Sequence, residues 1–433
     1  MLMTGLRRRL RSVALFEQLG PGLVTGAADD DPSGIATYSQ TGAQFGYGLL
    51  WTLVLTYPLM TAIQLVSARI GRVTGRGLAK TMGEVIPHSA VTALVALLFV
   101  ANTINIGADL AAMGESAQLL AGGGAHYFTI GFALLSLGLQ LFIPYRRYVR
   151  FLKWLTLVLF AYVAVLFVVK LDWRQLAVGL VWPSPSVLRS KASVTSIVAI
   201  FGTTISPYLF FWQTAQEVEE VDQDAKAKPL REAPRQAPPE FKRIRLDTFI
   251  GMAVSNLIAL AIMISTAATL HAAGKTDIGT AAEAAKALEP AAGPFAFLLF
   301  ALGIIGTGLL AIPVLAGSAA YAVGDTRDWP CGLDHKPWEA VGFYSVLGAA
   351  TLLGIGIDWS GFDPIKALFW SAVINGVIAV PMMVVMMLVV SRPSGMGRFR
   401  ATPLLRVFGW AATAVMAAAT IALIVSLALQ GPG

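Results

Sequence analysis

Asp29-Asp30-Asp31-Pro32-Ser33-Gly34 interrupts the first long apolar stretch of the chain, which begins near Gly20 and resumes as Ile35-Ala36-Thr37-Tyr38. The three acids therefore lie within a membrane-length span rather than beside one. A carboxylate at membrane depth costs at least about 2.5–3.5 kcal/mol on insertion scales, so such a group is usually paired or functional. Pro32 removes a backbone donor, and Gly34 tolerates most backbone dihedrals. The sequence thus predicts an unwound break with bare carbonyls beside negative side chains. Irregular backbone at that depth is viable only where it lines a cavity or is buried in protein. This is the outline of a cation site.

Working outward, the composition is that of a polytopic membrane protein: 56% hydrophobic, 13% charged, mean hydropathy +0.68. Apolar stretches of about 20 residues recur along the chain. We count eleven, centred on 20–46, 48–70, 91–117, 127–144, 152–171, 193–219, 246–270, 292–322, 338–356, 364–391 and 403–428. Met1 to Ser12 is basic but leads into the broken span without a small-residue cleavage site, so no removable signal peptide is expected. The lone Cys331 excludes a disulfide framework and a multi-cysteine metal cluster.

The net charge of +7 falls in the connections between spans, which fits a membrane surface better than nucleic acid. With the N-terminus inside, cytoplasmic segments hold 25 of the 32 Lys and Arg residues, and seven lie opposite. The positive-inside bias then places the N-terminus in the cytoplasm of a plasma (inner) membrane protein and the C-terminus outside. Glu217 to Asp247, with Pro229, Pro234, Pro238 and Pro239, reads as a flexible cytoplasmic loop over 218–245. Ala281 to Leu288 reads as a short amphipathic helix between spans seven and eight. No soluble domain and no obligate protein partner are expected.

A second interruption sharpens the first. Gly202-Thr203-Thr204-Ile205-Ser206-Pro207 places small, hydroxylic and proline residues in the middle of the sixth span. Pro32 and Pro207 are five spans apart, and broken helices at corresponding positions of two halves point to an inverted-repeat transporter with a midplane site. Five is odd, so the halves have opposite topology. The expected architecture is one all-α transmembrane domain over 1–433, with repeats at about 20–171 and 193–391 and an eleventh span at about 403–428. Two ordinary proline kinks are the plainer alternative, but it leaves the intramembrane aspartates unexplained.

These residues resemble a family. Gly20-Pro21-Gly22-Leu23-Val24-Thr25-Gly26, the Asp-Pro turn, and Gly42-Ala43-Gln44-Phe45-Gly46-Tyr47 are similar to the first span of the Nramp (natural resistance-associated macrophage protein) metal-ion transporters. Arg69-Ile70-Gly71 with Val73-Thr74-Gly75-Arg76 resembles the end of its second span, and Ala108-Asp109-Leu110-Ala111 its acidic third span. The resemblance implies the LeuT-type 5+5 inverted-repeat fold plus an eleventh helix. It also implies transition-metal binding between broken helices one and six, usually coupled to protons.

The departures bear on cargo. The family's Asp-Pro-Gly-Asn is Asp31-Pro32-Ser33-Gly34 here, its Met-Pro-His is Ser206-Pro207-Tyr208, and its Asp-Leu-Ala-Glu is Asp109-Leu110-Ala111-Ala112. The aspartate carries over to Asp31, while an amide, a thioether, an imidazole and a carboxylate are lost. The pattern resembles the divergent Nramp-related subgroup associated with magnesium. Thioether and imidazole favour softer metals, whereas carboxylate, carbonyl, hydroxyl and water suit Mg2+, Ca2+ and Mn2+. Mg2+ keeps several waters, for which Gly34 and Ser206 would leave room. His88, His126, His271 and His335 lie at span ends or in loops. Asp31 is the leading ligand candidate, then Asp30, with Ser206, the Thr203 carbonyl and Ser33 behind them. Asp29, Gly34, Asp109, Tyr208, Gln213 and Glu217 are pathway candidates.

Asn102 and Asn105 read as interhelical hydrogen-bonding residues, and Glu217 equally as an interfacial acid in water. The function expected is transport of Mg2+ and/or Mn2+ by alternating access without proton coupling; the alternative is a proton-coupled Mn2+/Fe2+ symporter. No cofactor is expected, the metal being substrate. No Walker loop, His-Glu-x-x-His motif or nucleophile elbow supports an enzyme. An amino-acid-type solute transporter would set a carboxylate against three aspartates, and a non-transporting sensor would give no ion flux.

Overall fold

The computed structural model describes residues 21–143, 156–188, 190–333, 335–359, 361 and 363–429, and every regular element among them is helical. The basic segment Met1–Ser12, the Arg146–Lys153 connection and the start of the fifth span lie outside the described residues.

The first span is two helices, α1 (Pro21–Asp29) and α2 (Pro32–Phe45), separated at Asp30 and Asp31. There follow α3 (Leu50–Thr74), α4 (His88–Ala121) and α5 (Ala125–Phe142). The described part of the fifth span is a 3-10 turn, Thr156–Leu159, and a short helix, Phe160–Val165. The sixth span is again two helices, α6 (Lys191–Thr204) and α7 (Pro207–Gln223). The remaining long helices are α8 (Ala237–Thr266), α9 (Ala296–Arg327), α10 (Val341–Asp358), α11 (Pro364–Ser391) and α12 (Pro403–Ala428). Nine helices or helix pairs among the described residues have the length and composition to cross a membrane. The first span, cut into two short pieces, and the short fifth are the two expected spans not among them.

Both breaks follow one local rule. The residue before each proline has extended backbone: Asp31 at φ −70°, ψ 170° and Ser206 at φ −79°, ψ 136°. A residue preceding proline is pushed out of the helical region, and proline at the first helical position forgoes a donor that would be unsatisfied anyway. Each proline therefore ends one helix and starts the next.

Packing then places the two breaks together at the centre. α8 lies along α1 and α2, α7 along α3, α9 along α4, and α6 along α11. Helix α1 approaches α8 backbone to backbone: a Cβ on Gly26 would sit 2.4 Å from the Gly251 carbonyl oxygen.

The stretch 218–245 departs from the expected loop. α7 continues to Gln223, and α8 begins at Ala237, with Pro238 and Pro239 in its first turn where proline is tolerated. The intervening chain is pinned to the end of α3: Leu230 and Arg231 donate their amides to the carbonyls of Arg72 and Val73 at 3.1 and 3.2 Å. Charges that read as solvated loop are spent between helices, Arg72 on Glu240 and Arg243 on Glu217, Glu220 and Glu240. The expected short helix between spans seven and eight is present as Ala281–Ala285 and a 3-10 turn to Leu288, with Ala281, Ala284, Ala285, Ala287 and Leu288 buried.

Candidate metal-ion site

Asp31 is the hinge of the site. As the N-cap of α2 it turns its carboxylate back over the helix start: Oδ1 accepts from the Gly34 amide at 2.8 Å and from the Ser33 hydroxyl at 2.6 Å. Its Oδ2 faces the other way and accepts from Asn105 Nδ2 of α4 at 3.1 Å. The Tyr208 hydroxyl, from the first turn of α7, lies 3.3 Å from the same Oδ2 and 3.1 Å from the Ala28 carbonyl. One hydroxyl proton serves one of these acceptors at a time. A single buried carboxylate thus touches the second half of the first span, the third span and the sixth-span break.

Three consecutive aspartates diverge, as residues about 100° apart around a helix end must. Asp29 and Asp30 turn toward α8, where the Ser255 hydroxyl is 2.6 Å from Asp29 Oδ2 and 3.1 Å from Asp30 Oδ1. Of the three, Asp31 is the one with a hydrogen-bond partner in the sixth span. Asp30, expected to stand beside it, shares Asp29's side instead.

The sixth-span break presents oxygen. The Ser206 hydroxyl donates back along its own chain, 2.6 Å from the Gly202 carbonyl and 2.9 Å from the Thr203 carbonyl. Thr203 also meets the first break directly. A Cβ built on Gly34 would be 3.2 Å from Thr203 Oγ1 and 3.3 Å from the Tyr38 ring. A side chain at Gly34 would therefore press on Thr203 and Tyr38. Among the described residues no three His, Cys, Asp or Glu side chains converge as a metal-ligating cluster. What converges is one carboxylate with carbonyls and hydroxyls, a donor set suited to hard cations.

Asp109 of α4 is fully buried, and neither carboxylate oxygen has a hydrogen-bond partner among the described residues. It lies one helical turn beyond Asn105, the residue whose amide holds Asp31. Gln213 and Glu217 form a separate chain of contacts from α1 to α8. Thr25 Oγ1 donates to Gln213 Oε1 at 2.6 Å, Gln213 Nε2 lies 3.4 Å from Glu217 Oε1, and Arg243 Nη2 is 2.6 Å from Glu217 Oε2. Glu217 is fully buried, which removes the reading of an interfacial acid in water: its charge is matched by Arg243, inside the bundle. Nearby, Asp247 Oδ2 accepts the Gly22 amide at 2.6 Å.

Two contact residues escaped sequence reasoning. Asn105 reads in the sequence as a packing residue, and it does bridge to α11 by accepting from the Ser371 hydroxyl at 2.5 Å, but its amide holds Asp31. Its position one helical turn before Asp109 was the available signal. Ser255 is one hydroxyl in a long apolar helix and carried none. Asn102 behaves as expected, donating to the Leu315 carbonyl and the Ser318 hydroxyl of α9, each at 2.8 Å.

Comparison with known proteins meets this geometry. A family model described as "Natural resistance-associated macrophage protein-like" (Nramp) matches residues 22–426. The divalent metal cation transporter MntH of Acidiphilium cryptum is 27% identical over 377 residues, covering 84% of this chain and 80% of that protein. MntH of Yersinia pestis is 29% identical over 314 residues, covering 70% and 71%. The Eremococcus coleocola manganese transporter superposes with a TM-score of 0.72 at 17% identity, over 96% of this chain and 88% of that one. A nucleobase-cation-symport-1 family transporter in a closed conformation superposes with a TM-score of 0.55 at 13% identity, over 94% and 92%. At these identities the two structures speak to the fold, which is the LeuT-like arrangement.

Proposed function

The chain belongs to the Nramp family, and from that premise we propose that it carries divalent metal cations, Mg2+ and/or Mn2+, across the membrane by alternating access. The protein is a multi-pass transporter rather than an enzyme, and its metal ions are substrates. The observation that carries the reading is Asp31: a buried carboxylate at the break of one helix, in hydrogen-bond contact with the start of the other broken helix.

In this reading Asp31 supplies the charge that pays for bringing a cation to membrane depth. The Thr203 carbonyl and the Ser206 hydroxyl supply neutral oxygen, and Ser33 orients the carboxylate. Asp30 and Asp29 add negative potential from the α8 side. The absence of sulfur and imidazole at the two aligned motif positions, Ser206 and Tyr208, favours Mg2+ and Mn2+ over softer ions. Gln213, Glu217 and Arg243 form a closure between α1, α7 and α8 that opens to release the ion on the cytoplasmic side. That assignment uses the orientation given by the basic connections, with the N-terminus inside and the C-terminus outside.

Transport proceeds without stoichiometric proton entry in this reading, because Tyr208 and Ala112 replace an imidazole and a carboxylate. An unperturbed tyrosine titrates near 10 and is a poor proton carrier at neutral pH. One observation favours the proton-coupled alternative: the buried carboxylate of Asp109, one helical turn from Asn105 and without a hydrogen-bond partner among the described residues. Purified protein in liposomes with an internal pH dye and an inward Mn2+ or Mg2+ gradient decides. Metal uptake with no metal-dependent acidification is expected, and acidification absent from protein-free vesicles overturns the uncoupled reading. Absence of any divalent flux overturns the transport reading itself.

A further inference from the structure

The end of the bundle where α3 finishes and α8 and α12 begin carries a groove of about 470 Å³ between those three helices. Its walls are apolar, including Leu65, Phe249, Leu405 and Phe408, and its rim holds two arginines, Arg69 and Arg245. Phe249 and Phe408 are exposed on the helix perimeter, the face a bilayer covers.

Nearby arginines on the same helices behave differently. Arg72 is matched by Glu240, and Arg243 by Glu217, Glu220 and Glu240. Arg245, two residues further on, points about 200° around the helix from Arg243 and has no acidic partner among the described residues. Arg69 also has no acidic partner among the described residues. Its Nη1 donates to the carbonyls of Phe399 at 3.0 Å and Arg400 at 3.1 Å, and its guanidinium stacks 4.1 Å above the Phe241 ring. These contacts fix the guanidinium plane while leaving Nε and Nη2 without a protein acceptor among the described residues. A fixed planar fork of this kind suits a phosphate oxygen pair.

We propose that the groove binds an anionic phospholipid of the surrounding bilayer, with its phosphate between Arg69 and Arg245 and an acyl chain along the apolar walls. Two unmatched guanidiniums at the end of a bilayer-facing apolar groove complement a headgroup of net negative charge joined to hydrocarbon. A zwitterionic lipid would bring its own cation beside them, and free phosphate would leave the apolar walls unused. Basic pockets between helices at the membrane surface recognise anionic headgroups in this way.

The test uses the full-length protein in detergent, incubated with phosphatidylglycerol or phosphatidylcholine of identical chains and examined by native mass spectrometry. Wild type is expected to retain phosphatidylglycerol at least about fivefold over phosphatidylcholine, the preference one arginine near the surface supplies. Arg245→Glu, at an exposed side chain, is expected to bring retention down to the phosphatidylcholine level. Arg406→Glu, an exposed arginine on α12 that does not line the groove, is expected to leave the preference intact. Equal retention of both lipids by wild type overturns the proposal. So does equal loss in the Arg245 and Arg406 variants, which would mean general surface charge, and so does full displacement of the lipid by inorganic phosphate.

Discussion

The two helix breaks share a backbone and differ in chemistry. At both, an extended residue precedes a proline that starts the next helix. At the first, Asp31 reaches forward and accepts from Ser33 and Gly34, leaving its other oxygen to Asn105 and Tyr208. At the sixth, Ser206 reaches backward and donates to the carbonyls of Gly202 and Thr203. Proline position sets where the chain unwinds, and the capping side chain decides what the unwound turn offers. One break offers charge and the other neutral oxygen, so a cation held between them, as proposed, would have one dominant anchor.

The largest effect expected from that asymmetry is at Asp31. Asp31→Asn keeps the size of the side chain and removes its charge, and Mn2+ or Mg2+ flux into liposomes is expected to fall to the protein-free background. Wild-type-like flux in a folded Asp31→Asn protein would break the comparison at its root. Gly34→Ala comes next, because its Cβ would press on Thr203 Oγ1 and the Tyr38 ring where the breaks meet. Overpacking of this kind costs typically about 1–3 kcal/mol, read here as a lower melting temperature in detergent with reduced flux. An unchanged melting temperature would mean that the breaks are not in firm contact.

Selectivity should move at the other break. Ser206→Met installs a thioether at the sixth-span break and is expected to raise Cd2+ competition against Mg2+ severalfold in flux assays. An unchanged Cd2+/Mg2+ ratio would remove Ser206 from the ion's surroundings. Ser206→Ala is expected to do least: a hydroxyl donating into its own helix contributes about 1 kcal/mol or less to stability, and flux should stay within roughly twofold. A loss as deep as that of Asp31→Asn would instead make the two breaks equal partners.

Much of this arrangement was legible in the residues. Pro32 and Pro207 fall in apolar spans and each ends a helix, so both breaks could be placed to the residue. The acid that faces the sixth span could not be chosen by charge alone, because Asp29, Asp30 and Asp31 differ only in how far round the helix end they point. Their separation became visible once α8 brought Ser255 against two of them. Glu217 and the stretch 218–245 misled for a related reason. Composition reports that charges are present but not whether a partner stands across the interface, and Arg243 supplies that partner 26 residues away. Prolines at 238 and 239 looked like loop punctuation and serve as a helix start.

The hydrogen bonds around Asp31 have a consequence for kinetics. Ser33, Gly34 and Asn105 already donate to this carboxylate, with the Tyr208 hydroxyl shared between it and the Ala28 carbonyl, so it does not stand as a naked charge waiting to be quenched. An arriving ion must trade its own contacts for theirs, one substitution at a time, and a departing ion is replaced the same way. In the proposed role, affinity is then the difference between two well-satisfied states rather than the full attraction of a bare charge. If Asp31 is the ion's anchor as proposed, such an arrangement works against tight retention, which suits a carrier better than a storage site.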